Sequence, residues 1–301
     1  MRTFLAIAAT GLALLAAACG SSGTSSESSS AAGGGGSSAA NACAKDSLQT
    51  LQPGKLTISS DNPAYTPYFA GGPGHDWKGE FNNDPYADKG FEDAVAYAVA
   101  DRLGFTADEV TWAATPFNQS FKPGPKNFDY YLAQVSITPQ RQQSVDLSDP
   151  YYAATQAVVA LKGKPITKAT SLADLKSYKL GVEIGTTSAD AISSVIAPDT
   201  EPNVYNRTRD ATQALDNGQI DGLVVDFPTA YYIAFVDPGG GTVVGQFSGT
   251  GGEDQWALVL DKDSPLTPCV NQAIASLKSD GTLAAIEKKW LSDIVGAPVL
   301  H

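Results

Sequence analysis

A single arginine, Arg141, lies in the run QVSITPQRQQSVDLSDPYY (134–152), which has no other basic residue. Thr138 before Pro139 is typical of a helix N-cap followed by the first helical residue, which places Arg141 in the first helical turn. A cation is mildly unfavourable there, because it faces the positive end of the helix dipole. A carboxylate bound by the guanidinium fork and nearby donors such as Ser136 explains the arginine. A structural salt bridge to one of the two aspartates of the same run explains it equally well.

Two distant stretches favour the first explanation. GVEIGTTSAD (181–190) places hydroxyl groups, including that of Thr187, at a turn from a strand into a helix. DGLVVDFPTAYY (221–232) places Asp226 at the end of a strand. Arg141 and Thr187 can take a carboxylate, and Asp226 can take an ammonium group. The three stretches together predict a site for a small zwitterion.

Residues for hydrolytic or metal chemistry are scarce in this chain. The two histidines, His75 and His301, have no second histidine or cysteine at metal-ligand spacing. The chain also has no Gly-x-Ser-x-Gly elbow, phosphate-binding loop or dinucleotide fingerprint. We therefore expect no metal, no cofactor and no catalytic residue.

The elements that must position these residues alternate between strands and helices. Strands are predicted over 56–59, 109–114, 127–137, 157–162, 179–185, 222–226 and 256–260. Helices are predicted over 91–103, 187–196, 208–216, 264–281 and 282–293. This alternation predicts an α/β fold with a mostly parallel sheet.

The N-terminal segment reads as a targeting signal. Residues 1–19 resemble a bacterial lipoprotein signal with Cys19 as the lipidated residue, although an ordinary signal cleaved after Ala-x-Ala is the alternative. Residues 20–40 form a Gly/Ser-rich tether, which suits a domain held off a membrane by a lipid anchor. No other segment is long and apolar enough to span a bilayer.

The length of the chain limits the number of domains, and its net charge limits the kinds of binding partner. The chain has 301 residues, of which 43% are hydrophobic, enough for one large or two modest domains. The formal net charge of −12 argues against nucleic acid or anionic lipid headgroups as partners.

The cysteines are consistent with an exported protein. If Cys19 carries the lipid, Cys43 and Cys269 remain as a pair, and a disulfide is the default outside the cytoplasm. Two unpaired buried thiols are the alternative.

Six stretches in order resemble the bacterial extracellular solute-binding proteins of family 3. They are GKLTISSDNPAYTPYF, GFEDAVAYAVADRLG, SITPQRQQSVDLSDPYY, GVEIGTTSAD, ALDNGQIDGLVVD and LKSDGTLAAIEKKW. The resemblance implies a periplasmic-binding-protein-like type II fold, with two α/β lobes joined by two crossover strands around a ligand cleft. Lobe 1 would contain residues 41–155 and 256–301, and lobe 2 residues 156–255. Tyr151 and Tyr152 would lead into the hinge.

The resemblance also implies roles in binding an amino acid. Arg141 and Thr187 would hold the α-carboxylate, and Asp226 and the Ser136 region the α-ammonium. Aromatic side chains would cover the ligand, although ordinary core packing is their alternative role. The expected ligand-binding residues are Tyr65, Phe117, Ser136, Arg141, Thr187, Asp226, Asn62 and Gln134.

The chain departs from the family pattern in three places. Asn62 lies where the family often has an acid, with Asp61 one residue earlier, and Gln134 replaces a small residue. The loop 71–90, which includes Trp77 and Glu80, is longer than usual. It either roofs the pocket or is a surface insertion, so the identity of the ligand stays open.

The implied function is that of an extracytoplasmic, membrane-anchored and monomeric substrate-binding component of an ABC importer. It would deliver a free amino acid, polar or basic, to membrane permease subunits. One alternative is a cyclohexadienyl or arogenate dehydratase on the same fold, with Glu183 or Glu253 as its acid, although we expect both to be solvated. The other is a ligand-sensing domain.

Overall fold

A computed structural model describes residues 42–62, 64–72, 83–236, 239–292, 294 and 296–301. The predicted signal peptide with Cys19, the tether 20–40, His75 and the part 73–82 of the long loop lie outside these residues. Within the described ranges, every helix is too short or too polar to cross a bilayer.

Lobe 1 is built on a five-stranded sheet with the order β2-β1-β3-β12-β4. Its strands are β1 (Leu56–Ser60), β2 (Val110–Ala114), β3 (Tyr130–Tyr131), β4 (Asp146–Leu147) and β12 (Val259–Leu260). Its helices are α1 (Phe91–Arg102), α2 (Phe117–Ser120), α3 (Pro139–Gln142), α7 (Thr267–Ser279) and α8 (Thr282–Leu291). The three long helices α1, α7 and α8 pack together over one core, whose buried side chains include Ile58, Val95 and Ile274.

Lobe 2 contains the second five-stranded sheet, with the order β10-β6-β9-β7-β8. Its strands are β6 (Gln156–Ala160), β7 (Leu180–Glu183), β8 (Asn203–Tyr205), β9 (Gly222–Asp226) and β10 (Thr242–Phe247). Its helices are α4 (Thr187–Ala191), which continues as a π-helical turn Ile192–Ile196, α5 (Thr208–Asp216) and α6 (Phe227–Phe235). The inner strands are apolar on both sides because separate cores cover the two faces, with Val158 in one core and Val159 in the other.

Two short strands, β5 (Tyr152–Ala154) and β11 (Asp254–Trp256), form an antiparallel pair that carries the chain between the lobes. Tyr152 lies opposite Trp256, and the backbone N–H of Tyr151 donates to the carbonyl of Trp256 at 2.8 Å. The predicted pair of crossover strands and the place of both tyrosines in the hinge are confirmed.

The prediction of mostly parallel sheets is wrong. Strand β6 enters the second sheet antiparallel to both β9 and β10, and β12 returns to the first sheet antiparallel to β3 and β4. The predicted single strand 127–137 is also shorter, Tyr130–Tyr131, because Gln134 has a φ of 53° that interrupts the extended backbone.

The C-terminal residues depart from the predicted boundary of lobe 1. Leu300 is buried in the lobe 2 core, and its N–H donates to the carbonyl of Gln246 in β10 at 2.8 Å. Leu300 fits there because the neighbouring strand residue is Gly245, where a Cβ would lie 2.6 Å from the Leu300 Cγ. Residues 296–301 therefore pack on lobe 2, unlike the predicted assignment of 256–301 to lobe 1.

The disulfide between Cys43 and Cys269 is present, with a Cα–Cα distance of 5.3 Å. It fixes the start of the described chain to the first turn of α7. Both half-cystines pack against the lobe 1 core, so the predicted pairing is confirmed.

Candidate functional site

A cavity of about 370 Å³ lies between the lobes and is lined by residues of both. Most of the predicted site residues surround it. The lining residues from the prediction are Tyr65, Phe117, Gln134, Ser136, Arg141, Thr187 and Asp226. Asn62 is not among them, whereas its neighbour Asp61 is. The acid that the family pattern places near this position is thus present one residue earlier.

Arg141 is nearly buried in the lobe 1 wall, in the predicted short helix. Thr138 caps this helix, since its hydroxyl accepts from the backbone N–H of Arg141 at 3.2 Å. The guanidinium donates from Nη1 to the Ser136 carbonyl at 2.6 Å and from Nη2 to the Gly185 carbonyl of lobe 2 at 3.0 Å. Its Cζ lies 4.5 Å from the ring centroid of Phe121.

The predicted alternative, a salt bridge within the same run, does not match this geometry. Asp146 pairs with Lys262, with 3.5 Å between the carboxylate and the Lys262 Nζ. Asp149 uses its backbone N–H to bond Asn271. Burial lowers the pKa of Arg141 to about 10, so the guanidinium is still charged at neutral pH. The donors of Arg141 are instead directed to two backbone carbonyls at the cavity.

The hydroxyl-rich turn lies opposite Arg141, in the lobe 2 wall. Thr186 caps α4 by accepting from the N–H of Ala189 at 3.2 Å, and Thr187 is the first residue of this helix. The hydroxyl of Thr187 lies 3.3 Å from that of Ser136 in lobe 1. Hydroxyl groups of the two lobes thus meet beside the guanidinium.

Asp226 lies at the end of β9 with its carboxylate held by an amide. Gln156 Nε2 donates to Asp226 Oδ1 and to Asp254 Oδ2, each at 2.7 Å, while its Oε1 accepts from Ser188 at 2.6 Å. Burial, reinforced by the charge of Asp254, raises the pKa of Asp226 to about 8. A cation that approaches this carboxylate would therefore stabilise its ionised form.

A second acid, Glu183, lines the cavity at the end of β7. Its Oε2 accepts from the backbone N–H of Thr208 at 2.7 Å and from the Thr208 hydroxyl at 2.6 Å. Burial raises its pKa to about 7, and burial also raises the pKa of Asp61. The expectation that Glu183 is solvated is wrong, because its carboxylate is buried where it caps the start of α5. Glu253 is exposed, as expected.

Gln134 belongs to a network that sequence reasoning missed. Its backbone N–H donates to Glu92 Oε1 at 2.7 Å, and its amide Nε2 donates to Glu92 Oε2. The hydroxyl of Tyr151 donates to the same carboxylate. Glu92 could have been noticed because its helical spacing places it on the same face as the apolar Val95, Ala96 and Val99.

The aromatic residues divide between the cavity and the hinge. Tyr65 and Phe117 line the cavity and also pack on the edges of the two lobe 1 cores, so their packing role is present and their covering of a ligand stays a prediction. Tyr68, also in the lining, reaches across to lobe 2, with its hydroxyl 2.8 Å from that of Thr229. Within the described residues, no group of three or more metal-ligating side chains comes together.

The profile of the bacterial extracellular solute-binding proteins, family 3, matches residues 79–293 of the chain. The chain belongs to this family. Family membership places this solute-binding protein outside the cytoplasm, and the two-lobed architecture with its crossover pair is the type II arrangement of its structural neighbours.

Several known proteins are similar to this solute-binding protein. The arginine-binding extracellular protein ArtP of Bacillus subtilis is 29% identical over 209 residues, which cover 67% of this chain and 78% of ArtP. An ancestral arginine-binding protein bound to glutamine is 28% identical with a TM-score of 0.64, covering 80% of this chain and 100% of that one. The ancestral amino acid-binding protein AncCDT-1, a precursor of cyclohexadienyl dehydratase, is 27% identical with a TM-score of 0.63, covering 79% and 95%. The curated relatives are named as binding proteins and not as enzymes.

Proposed function

We propose that this protein captures a free amino acid between its lobes and delivers it to the membrane permease of an ABC importer, without catalysis. The observation that carries the proposal is a buried guanidinium, Arg141, and a half-buried carboxylate, Asp226, that line one cavity. An α-amino acid carries the two complementary charges on one carbon atom. The names of the curated relatives support an amino acid as the ligand.

The carboxylate would bind at Arg141. The guanidinium now donates to the neutral Ser136 and Gly185 carbonyls, which leave its charge uncompensated. A carboxylate supplies the opposite charge and can accept two parallel N–H bonds from the planar fork. The adjacent hydroxyls of Ser136 and Thr187 can donate to the same carboxylate. A ligand carboxylate is therefore a better partner for Arg141 than the carbonyl it replaces.

The ammonium group would bind at Asp226. The amide of Gln156 holds this carboxylate in place, and the raised pKa of Asp226 marks a charge that burial leaves poorly compensated. A ligand ammonium supplies the missing cation. The ring faces of Tyr65 and Phe117 would then cover the ligand side chain.

The side chain of the ligand would be basic or polar. Four acids line the cavity, namely Asp61, Glu183, Asp216 and Asp226, against the two arginines Arg141 and Arg209. A zwitterion adds no net charge, so the surplus of acid favours a ligand whose side chain is a cation or a hydrogen-bond donor. The structure of the relative bound to glutamine is consistent with a polar side chain.

The features outside the cavity complete the proposal. The sequence pattern of residues 1–19 supports lipidation at Cys19, and the Gly/Ser-rich residues 20–40 support a tether to the membrane surface. The division of the sheets supports a lobe 1 of residues 41–155 and 256–292. It supports a lobe 2 of residues 156–255, to which the C-terminal residues 296–301 are added. We expect the protein to act as a monomer.

The proposal is tested by a ligand panel. Purified protein without residues 1–40 is screened by thermal shift against the common L-amino acids, cystine, ornithine and citrulline, with D-arginine as a stereochemical control. A ligand at 100 times its dissociation constant adds about 2.7 kcal/mol to the free energy of unfolding. The absence of a shift with every L-amino acid would contradict the proposal. L-arginine and L-citrulline have nearly the same shape, so a larger shift with arginine indicates a cationic side-chain site.

A further inference from the structure

The carboxylate of Glu92 accepts hydrogen bonds from three donors of two distant segments. Gln134 donates twice, from its backbone N–H at 2.7 Å and from its side-chain amide, and Tyr151 donates from its hydroxyl. Glu92 itself is fully buried in the first turn of α1 and does not line the cavity. It is therefore the centre of a network that includes Gln134 in the cavity wall and extends behind that wall to Tyr151.

A buried carboxylate at this position is costly for packing alone. Moving an ionised group out of water costs free energy unless hydrogen bonds replace its hydration, and an apolar side chain would fill the same core without that cost. The N-terminal end of α1 offsets part of the cost, since its dipole favours an anion. The three donors offset more of it, so the carboxylate and its donors are built as one unit.

At one end of this unit, Glu92 controls a strained residue of the cavity wall. Gln134 has a φ of 53°, in the left-handed region that costs a residue with a side chain on the order of 1 kcal/mol. The two bonds to Glu92 hold this conformation. Two residues later, the carbonyl of Ser136 accepts from Arg141, so the backbone that Glu92 fixes also places the partner of the guanidinium.

At the other end, Glu92 reaches the hinge. Tyr151 immediately precedes β5, and its backbone N–H donates to the carbonyl of Trp256 in β11. The rings of these two residues are 6.5 Å apart. One carboxylate thus links Gln134 to the strands that join the lobes.

We propose that Glu92 is a positioning residue, which fixes Gln134 in the cavity wall and couples it to the crossover strands through Tyr151. The proposal rests on the amino-acid site proposed above. Because both donor groups of Gln134 bond Glu92, the backbone carbonyl and the amide Oε1 of Gln134 are the atoms left to accept from a ligand ammonium. Glu92 thereby orients acceptors in lobe 1 that complement Asp226 in lobe 2.

The charge of Glu92 gives a readout that simple packing would not. Burial raises its pKa to about 7. The titratable groups that face it are the phenols of Tyr151, Tyr68 and Tyr131, and burial holds their pKa values well above 10, so they stay neutral in this range. Its raised pKa means that ionising Glu92 lowers stability as the pH rises through about 7. The ionised form presents only acceptors to the three donors and bonds them as a charged group, whereas the protonated form places an O–H among them and bonds them more weakly, so ligand affinity should rise over the same interval.

The test compares Glu92→Gln with Asp93→Asn. Asp93 is a matched control, because it is fully buried in the same helical turn, burial raises its pKa to about 8, and it accepts from the backbone of Lys89 without lining the cavity. Dissociation constants for L-arginine and L-glutamine are measured by calorimetry at about pH 5.5 and about pH 8.5, either side of the Glu92 pKa. Tyr151→Phe, which removes one donor, serves if Glu92→Gln does not fold.

Glu92→Gln should weaken binding about tenfold or more at the higher pH, the loss expected for a hydrogen bond to a charged group. Its affinity relative to the natural protein should recover at the lower pH, while Asp93→Asn should bind within about twofold at both. Tyr151→Phe should shift affinity in the same direction by a smaller factor. An equal loss in Glu92→Gln and Asp93→Asn, or a loss that does not change with pH, would overturn the proposal.

A ligand-free measurement separates this proposal from the choice of ligand. The backbone amide of Gln134, followed by ¹⁵N–¹H NMR, should titrate near pH 7 in the natural protein and in Asp93→Asn, and should not do so in Glu92→Gln. A Gln134 amide that ignores the substitution overturns the positioning role even if amino acids bind. Conversely, failure of every amino acid to bind while Gln134 titrates as expected contradicts the proposed function alone.

Discussion

The two walls of the cavity hold their buried charges by different means. In lobe 1, Arg141 donates to two backbone carbonyls and packs over Phe121. In lobe 2, Asp226 and Glu183 accept from the neutral donors of Gln156 and Thr208. Neutral partners keep each charged group in place without neutralising it.

The pKa values are shifted on both walls by the same cause. Burial lowers the pKa of Arg141 and raises those of Asp226 and Glu183, so on both walls the protein environment opposes the charged form. A zwitterion bound as proposed would reverse this on both sides, because its carboxylate would pair with Arg141 and its ammonium group with Asp226. In the proposed function, each wall is complementary to one charged group of the ligand more than to the other wall, and the following substitutions test this.

Arg141→Lys should have the largest effect. A lysine keeps the charge but loses the planar fork, and replacing one partner of a buried charge pair costs about 2–5 kcal/mol of binding free energy. Calorimetry with the best ligand of the panel measures the loss, and Arg102→Lys on the exposed end of α1 is the control. Unchanged affinity would return Arg141 to a purely structural role.

Asp226→Asn should weaken binding by about 1–3 kcal/mol, because the amide keeps the shape but loses the charge that meets the ammonium. The same substitution should also make the stability of the ligand-free protein less dependent on pH. The pKa of Asp226 is raised from 3.8 to about 8, so its ionisation costs the ligand-free protein stability as the pH rises through that interval.

Urea denaturation of the ligand-free protein at several pH values measures this second effect. The free energy of unfolding should fall less steeply with pH in Asp226→Asn than in the natural protein. The exposed Asp108→Asn should leave the profile unchanged. Identical profiles for Asp226→Asn and the natural protein would show that the lobe 2 wall bears no uncompensated charge here.

Glu183→Gln should have the smallest effect, about 1 kcal/mol, and should affect selectivity more than affinity. The amide can still accept from Thr208, so the start of α5 remains capped. L-arginine should lose affinity relative to L-citrulline, and Glu253→Gln on the surface should leave their ratio as it is. A ratio that is unchanged in Glu183→Gln would assign this carboxylate to capping alone.

Local sequence signals predicted the parts of the fold that depend on neighbouring residues. The Thr138–Pro139 cap is such a feature, because it depends on a few adjacent residues. The crossover strands were instead implied by the resemblance to a family, and the Cys43–Cys269 bond by the cysteine count in an exported chain. The polar residues at strand ends also pointed to one cleft, since such ends meet there in α/β folds.

Features that depend on distant partners could not be predicted from the sequence. The inward position of Glu183 depends on Thr208, and the left-handed Gln134 is held by Glu92, 42 residues earlier. The antiparallel entry of β6 follows from the crossover pair and not from the apolar pattern of that strand, which is the same in either direction. A residue's own type does not reveal such pairings.

The packing of Leu300 in lobe 2 has a practical consequence. Residue 43 is locked to lobe 1 by the disulfide, and residue 301 is held on lobe 2, where the N–H of Leu172 donates to its carbonyl. A donor fluorophore attached beside residue 43 and an acceptor attached at residue 301 would therefore lie on opposite lobes. Closure of the lobes on a ligand would change the distance between the two fluorophores. The efficiency of energy transfer would therefore report ligand binding in real time.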